Sequence, residues 1–238
     1  MNDVIQGLWI GTALSTMERL SIASFIRQGH PYHLYVYEDV GNVPTGTVVK
    51  DGNEILPASA IFQYRRTKSY AGFANFFRYK LLLDKGGWWV DTDVICLKPF
   101  NFEADHVFAT EWVHREPYVT SGIIKAPAAS RVMAYAWDIC QQQNIETLQP
   151  GETGPRLMTK AVETFELHSY VQPPHVFCPL GYIEWDKVLE PQVDWTFDKT
   201  TCAIHLWNEM WRQGNYDKNS RYHPDCLYEQ LQRRYFEV

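Results

Sequence analysis

The run SYAGFANFFRYKLLLDKGGWWVDTDVICLKPF, residues 69–100, decides how this chain is read. Residues 69–85 have helical character. Phe73, Phe76, Phe77, Leu81 and Leu83 leave little of that surface for water, so the spacing predicts a central, buried helix. Gly86-Gly87 ends it. Residues 88–90 form a short apolar strand, and strand character continues at 94–97, beyond Asp91-Thr92-Asp93. Alternation sends Trp88 and Trp89 to opposite faces, both into core. Arg78 lies inside the apolar helix, where a guanidinium needs an anion or a fork of acceptors. Asn75 shares its face, three residues earlier. Two readings of that face stand equally. It offers a cation and an amide to a phosphate and a ribose or base, or Arg78 pairs with an internal carboxylate. In Asp91-Thr92-Asp93, residues i and i+2 point to one side, so both carboxylates converge. Their repulsion is relieved by a hard divalent cation, Mg²⁺ or Mn²⁺. A lone Asp-x-Asp is a weak signal. Its position is stronger, because the C-terminal edge of a strand is where ligands bind open α/β sheets.

Working outward, residues 4–10 read as a strand and 15–27 as a helix, with Ser15 and Glu18 at capping-box spacing. Residues 32–37 (YHLYVY) form a second strand. A Gly/Pro/Asn loop carries a short element at Val48-Val49, and a short helix is expected near 58–64, after Pro57. This β-α-β-α-β order predicts an α/β sheet with right-handed crossovers. The second half is less regular. Strands are expected at 107–110 and 120–125, and helices at 129–141 and 154–165. Short strands follow at 176–177 and 203–206, then a terminal helix, Leu227–Phe236. No linker divides the chain, so 1–238 reads as a single domain.

Composition narrows the function. The chain has 238 residues and a formal charge of −6, which disfavours a dedicated nucleic-acid binder. Hydrophobic content of 45% with 21% charged residues excludes disorder. The N-terminal stretch has no basic segment and carries Asp3, so it reads as a strand rather than a signal peptide. No run reaches the length of a membrane span, while peripheral membrane association needs none. Five scattered cysteines without a CxxC pair argue against a disulfide framework or structural zinc, and point to a cytoplasmic location. Nine Trp, 14 Tyr and 12 Phe suit either a Trp-rich core or flat ligands such as sugars and bases.

The run helix–Asn75-x-x-Arg78–Gly86-Gly87-x-x-x-Asp91-x-Asp93 resembles the DXD sugar-binding glycosyltransferases. These are GT-A-type enzymes that include Och1-like mannosyltransferases, globoside-type α-galactosyltransferases and, more distantly, glucosylating clostridial toxins. Leu8-Trp9-Ile10-Gly11 resembles the family's first strand, Thr153-Gly154-Pro155 the opening of a helix near the acceptor, and His205-Leu206-Trp207 the late segment that closes over metal and diphosphate. The resemblance is specific at 69–100. It implies a GT-A-type α/β domain with a Rossmann-like, mixed, mostly parallel central sheet flanked by helices, and with a nucleotide-binding half, 1–100, and an acceptor half, 101–238.

The resemblance also implies a metal-dependent, retaining hexosyltransferase that uses a UDP- or GDP-sugar with Mn²⁺ or Mg²⁺. Donor contacts would come from Trp9, Ile10, Asn75, Arg78, Asp91, Thr92 and Trp207, metal ligands from Asp93, Asp91 and His205, and the catalytic set would be Asp91, Asp93 and Arg78. The acceptor would be a glycan, a lipid-linked glycan or a protein, as in polysaccharide biosynthesis in the cytoplasm or at the inner membrane face. The family carries Asp where this chain has Asn75, which loses a charge and one acceptor and bears on nucleotide or sugar preference. His114, Glu111 and Glu152 are polar candidates on the acceptor side, and Trp211 joins Trp207 as a ligand-facing candidate. Retention allows a carboxylate nucleophile or same-face attack, and no unique nucleophile stands out. Three rivals remain: a haloacid-dehalogenase-like phosphatase using the Asp-x-Asp, a carbohydrate-binding module, and a degenerate transferase that binds donor without transfer.

Overall fold

The computed structural model describes residues 3–113 and 116–236. Among these, the strands are β1 (Ile5–Leu8), β2 (Tyr32–Val36), β3 (Thr47–Asp51), β4 (Gly87–Val90), β5 (Val94–Cys96), β6 (Val107–Val113), β7 (Glu116–Ala126) and β8 (Ala203–His205). The helices are α1 (Thr16–Arg27), α2 (Ala71–Lys85), α3 (Arg131–Gln141), α4 (Pro155–Thr164), α5 (Pro174–Phe177), α6 (Asn208–Gln213) and α7 (Leu227–Phe236). Six strands form one sheet in the order β3-β2-β1-β4-β7-β6, and β5 pairs with β8 apart from it. The first four strands run parallel, and β7 is antiparallel to both β4 and β6. This is the mixed, mostly parallel sheet expected from the sequence. Strand order reverses direction between β1 and β4, so the crevice beyond their C-terminal ends is the switch point where such sheets bind ligands.

Local chemistry accounts for the elements that reach this crevice. The Ser15–Glu18 capping box starts α1, with the Ser15 N–H donating to Glu18 Oε2 at 2.7 Å. Helix α2 buries Phe73, Phe77 and Leu81 completely, as its pattern predicts, and Leu82 with them, whereas Phe76 and Leu83 are only half-buried. Trp89 joins their cluster, while Trp88 packs on the other face with Phe100 and Phe177. Gly86 makes the turn from α2 into β4 at φ +66° and ψ −166°, a region open essentially to glycine. A Cβ there would lie 2.4 Å from the Ala128 backbone nitrogen. Gly86→Ala is therefore expected to cost about 1–3 kcal/mol from the backbone alone, with the clash in addition. A lowered denaturant midpoint at unchanged m-value checks this.

Several expectations need correction. Residues 94–97 do not extend β4 in the same sheet: the chain turns at Asp91-Thr92-Asp93, and β5 leaves to pair with β8. Residues 176–177 belong to the helical turn α5 rather than a strand, because Pro174 at its first position presets helical φ and lacks the N–H a ladder needs. The helix near 58–64 is a single 3₁₀ turn, Ala58–Ala60, since Ile61 is already extended. Helix α6 and the 3₁₀ segment Tyr182–Leu189 carry too little periodicity to be read from sequence. No helix among the described residues is long and apolar enough to cross a membrane.

Candidate active site

The end of β4 and the start of β5 deliver two carboxylates into the crevice, and strand register brings the third group. Val94 pairs with His205, so Asp93 lies beside the end of β8, where its carbonyl accepts the Leu206 N–H at 2.9 Å. Asp93 Oδ1 is 3.2 Å from His205 Nε2, and Oδ2 accepts the Asn208 N–H at 2.8 Å. One potential ligand atom each from Asp91, Asp93 and His205 lies within 4.8 Å of the others. Two oxygens and one imidazole nitrogen at that spread fit a divalent cation, which bonds of about 2.1 Å would draw closer. His205 Nδ1 is buried without a hydrogen bond among the described residues, and the Cys178 thiol is a polar neighbour of the ring.

Arg78 resolves in favour of an internal partner. Its side chain is 3% exposed, with Nη2 3.0 Å from Asp91 Oδ1. It also donates to the carbonyls of Ala74 and Ser121 and lies 4.9 Å from the centre of the Trp89 ring. Trp89 Nε1 donates to Asp91 Oδ1 at 2.8 Å. Asp91 is thus clamped from two sides. Burial pushes its carboxyl up and neighbouring Asp93 adds to that, against the pull of Arg78. For Asp93, burial works in the same upward direction but is outweighed by His205 and the Asn208 N–H, which hold the carboxyl below its ordinary value. His205 is correspondingly held well above the usual imidazole range, because the Asp93 charge overcomes burial.

Asn75 Nδ2 donates to Thr153 Oγ1 at 3.3 Å, and its Oδ1 accepts from Ser121 at 3.2 Å, so the helix face meets the Thr153-Gly154-Pro155 segment. Trp9 follows β1, with Nε1 buried and unpartnered among the described residues; the Lys218 ammonium lies 5.8 Å from a ring centre while pairing with Glu18. Ile10 packs at the edge of the α2 core cluster. The Thr92 methyl faces Gly7 of β1. Trp207 is buried, with its ring 3.8 Å from that of His205 and its Nε1 donating to the Leu180 carbonyl at 2.9 Å. It adopts φ +58°, costly for a bulky residue and sustained by those contacts. Trp211 is not ligand-facing: it is fully buried against Trp185 and Tyr228. Glu111 is buried near this site, Glu152 is exposed, and His114 lies outside the described residues.

Sequence reasoning missed several contributors. Trp89 assists Asp91 as well as filling core, and the i, i+2 alternation that joins Asp91 to Asp93 also joins Trp89 to Asp91. Tyr32 has a buried hydroxyl without a partner among the described residues, kept protonated by burial and by the charges of Asp91 and Asp93. No local signal marks it. Gly122 matters by lacking a side chain: a Cβ there would lie 3.1 Å from Asp91 Oδ2 and 3.6 Å from His205 Cε1. Gly122→Ala is expected to weaken Mn²⁺ binding about 10–100-fold, as disturbed supporting contacts do, with little change in melting temperature. Calorimetry and a thermal melt check both.

Residues 16–114 match the family described as "Glycosyltransferase sugar-binding region containing DXD motif", which spans Asn75, Arg78, Asp91 and Asp93. Residues 138–235 match the "Alpha 1,4-glycosyltransferase conserved region", which spans His205 and Trp207. Between them the two family models cover most of the chain, and both support a DXD-type glycosyltransferase. The chain is similar in fold to the PaToxG glycosyltransferase, at 18% identity and a TM-score of 0.50, over 71% of this chain and 72% of that one. It is also similar to the ligand-free glycosyltransferase domain of the YGT toxin, at 8% identity and a TM-score of 0.52, over 73% and 80%. None of the curated proteins matches it significantly. The two family matches support a glycosyltransferase over the phosphatase and binding-module readings.

Proposed function

We propose that the protein is a metal-dependent, retaining hexosyltransferase that moves a sugar from a UDP- or GDP-sugar to a glycan, lipid-linked or protein acceptor. The observation that carries this reading is the convergence of Asp91, Asp93 and His205 at the switch point of the sheet. In this reading Asp93, Asp91 and His205 hold the cation, and the mixed carboxylate–imidazole set suits Mn²⁺ better than Mg²⁺. The cation supplies charge stabilisation for the departing nucleoside diphosphate. Arg78 and Trp89 fix the Asp91 carboxylate. Trp9, Ile10, Asn75 and Thr92 border the donor, with Lys218 giving way for a base on Trp9. Trp207 fixes the His205 ring.

The match to an α-1,4-glycosyltransferase region supports an α-linked product, which from an α-linked donor is retention. Residues 1–100 form the donor half and 101–238 the acceptor half. The five cysteines are free, four of them buried, which suits the cytoplasm, with or without attachment to the inner membrane face.

The test is a panel of UDP- and GDP-sugars assayed with Mn²⁺ for release of nucleoside diphosphate, with the anomer of the product read by NMR. Metal-dependent release from at least one sugar, with retained configuration, is expected. Binding without release identifies a degenerate transferase, and inverted configuration overturns the retaining assignment. A second check follows from His205. Ligation needs a neutral ring, whereas Asp93 keeps it protonated, so metal binding expels a proton. Mn²⁺ affinity is expected to rise as pH rises, by up to about tenfold per unit while the ring is protonated. A flat profile in Mn²⁺ titrations removes His205 from the ligand set.

A further inference from the structure

We propose that Glu111 is the general base that takes the proton of the attacking hydroxyl group. This rests on the glycosyltransferase reading above and adds a residue to it. Alternation along β6 puts Val107, Ala109 and Glu111 on one face. Val107 and Ala109 pack in one cluster with Phe177, Cys178 and Trp207, so Glu111 continues that face toward His205. On the neighbouring strand, Gly122 opens toward Asp91 and His205. Glu111 is 7% exposed, and its side chain has no hydrogen bond or ion pair among the described residues. A buried carboxyl without a partner is costly, and a side chain serving only to pack would avoid that cost.

Two further features favour proton transfer over other roles. Asp91, Asp93 and His205 gather as ligands without Glu111, so the cation does not require it. A nucleophilic carboxylate would be held ionised by hydrogen bonds, which the Glu111 side chain lacks among the described residues. Burial, with a contribution from Asp91 and against the pull of His205, pushes its carboxyl up to about 7, where a carboxyl exchanges protons at neutral pH.

The acceptor hydroxyl oxygen bonds to the anomeric carbon, and its proton passes to a Glu111 carboxylate oxygen. The bond from the anomeric carbon to the diphosphate oxygen breaks, and its electron pair leaves with the nucleoside diphosphate. Glu111 then returns the proton to solvent. Water in place of the acceptor gives donor hydrolysis by the same transfer.

The experiment measures release of nucleoside diphosphate from UDP- and GDP-sugars with Mn²⁺, beside calorimetric binding of UDP and GDP and a thermal melt. Glu111→Gln is expected to bind nucleotide within about twofold of wild type yet turn over about 10²–10⁴-fold more slowly. Glu111→Asp is expected to recover part of the rate, and added formate to raise the rate of Glu111→Ala. Turnover of Glu111→Gln within about threefold of wild type overturns the assignment. So does parallel loss of binding, melting temperature and turnover without rescue by Asp or formate, which makes Glu111 structural. If wild type releases nucleoside diphosphate from no sugar, the transferase reading itself fails, and this proposal with it.

Discussion

Asp93→Ala is expected to abolish metal-dependent nucleotide binding and to slow sugar transfer by about 10²–10³-fold or more, the equivalent of losing several kcal/mol of charge stabilisation. Asp93 is the point where the two sheets meet. One carboxylate oxygen holds His205, the other holds the first N–H of α6, and its main chain joins β8. Only the side-chain contacts disappear in the variant. The Leu206 N–H keeps its carbonyl partner, and the main sheet does not depend on them, so the chain is expected to fold. Asp93→Asn separates charge from capping. It keeps an acceptor for the Asn208 N–H but leaves His205 without its counter-charge, and is expected to melt below wild type, by the loss of that pair, and to lose about 10–100-fold in Mn²⁺ affinity. Full Mn²⁺ affinity and transfer in Asp93→Ala would remove Asp93 from the site.

The second large effect is on stability. Arg78→Met keeps length and apolar character but leaves Asp91 without its guanidinium, close to Asp93. Removing one partner of a buried ion pair costs about 3–5 kcal/mol, and for a chain of this size that lowers the melting temperature by roughly 10 °C. The Arg78 side chain is 3% exposed and that of Asp91 28%, so the lower end of the range applies. Two rescues are specific to this account. Asp91→Asn in the Arg78→Met background removes the stranded charge and is expected to recover much of the loss, as a double-mutant cycle will show. Added Mn²⁺ is expected to raise the melting temperature of Arg78→Met more than that of wild type, because it supplies the missing positive charge. A melt within about 2 °C of wild type for Arg78→Met contradicts the pairing.

The parts of this fold legible from sequence are those set by local spacing. The buried face of α2, the capping box at Ser15, the alternation of Trp88 and Trp89 and the convergence of Asp91 with Asp93 all follow from periods of 3.6 or 2 over a few residues. What spacing does not carry is the pairing of distant segments. That Arg78 meets Asp91 rather than a ligand depends on how α2 packs beside the end of β4. Spacing alone does not give the His205 contact either, because it needs β5 to leave the sheet and pair with a strand more than a hundred residues later; the family resemblance suggested His205 where periodicity did not. Trp207 and Trp211 differ by one helical turn, yet one caps the His205 ring and the other fills the core, a distinction that belongs to the packing of α6. Glu111 stood out only as polar, and its burial beside the site is a property of the β6–β7 hairpin.

The most direct test of the central claim is calorimetric titration of UDP and GDP into the wild-type chain, with Mn²⁺ and again with EDTA. The account predicts that one nucleotide binds with Mn²⁺ and at least about tenfold more weakly once the metal is removed, a difference of about 1.4 kcal/mol. Equal affinity in both conditions, or binding in neither, would contradict it.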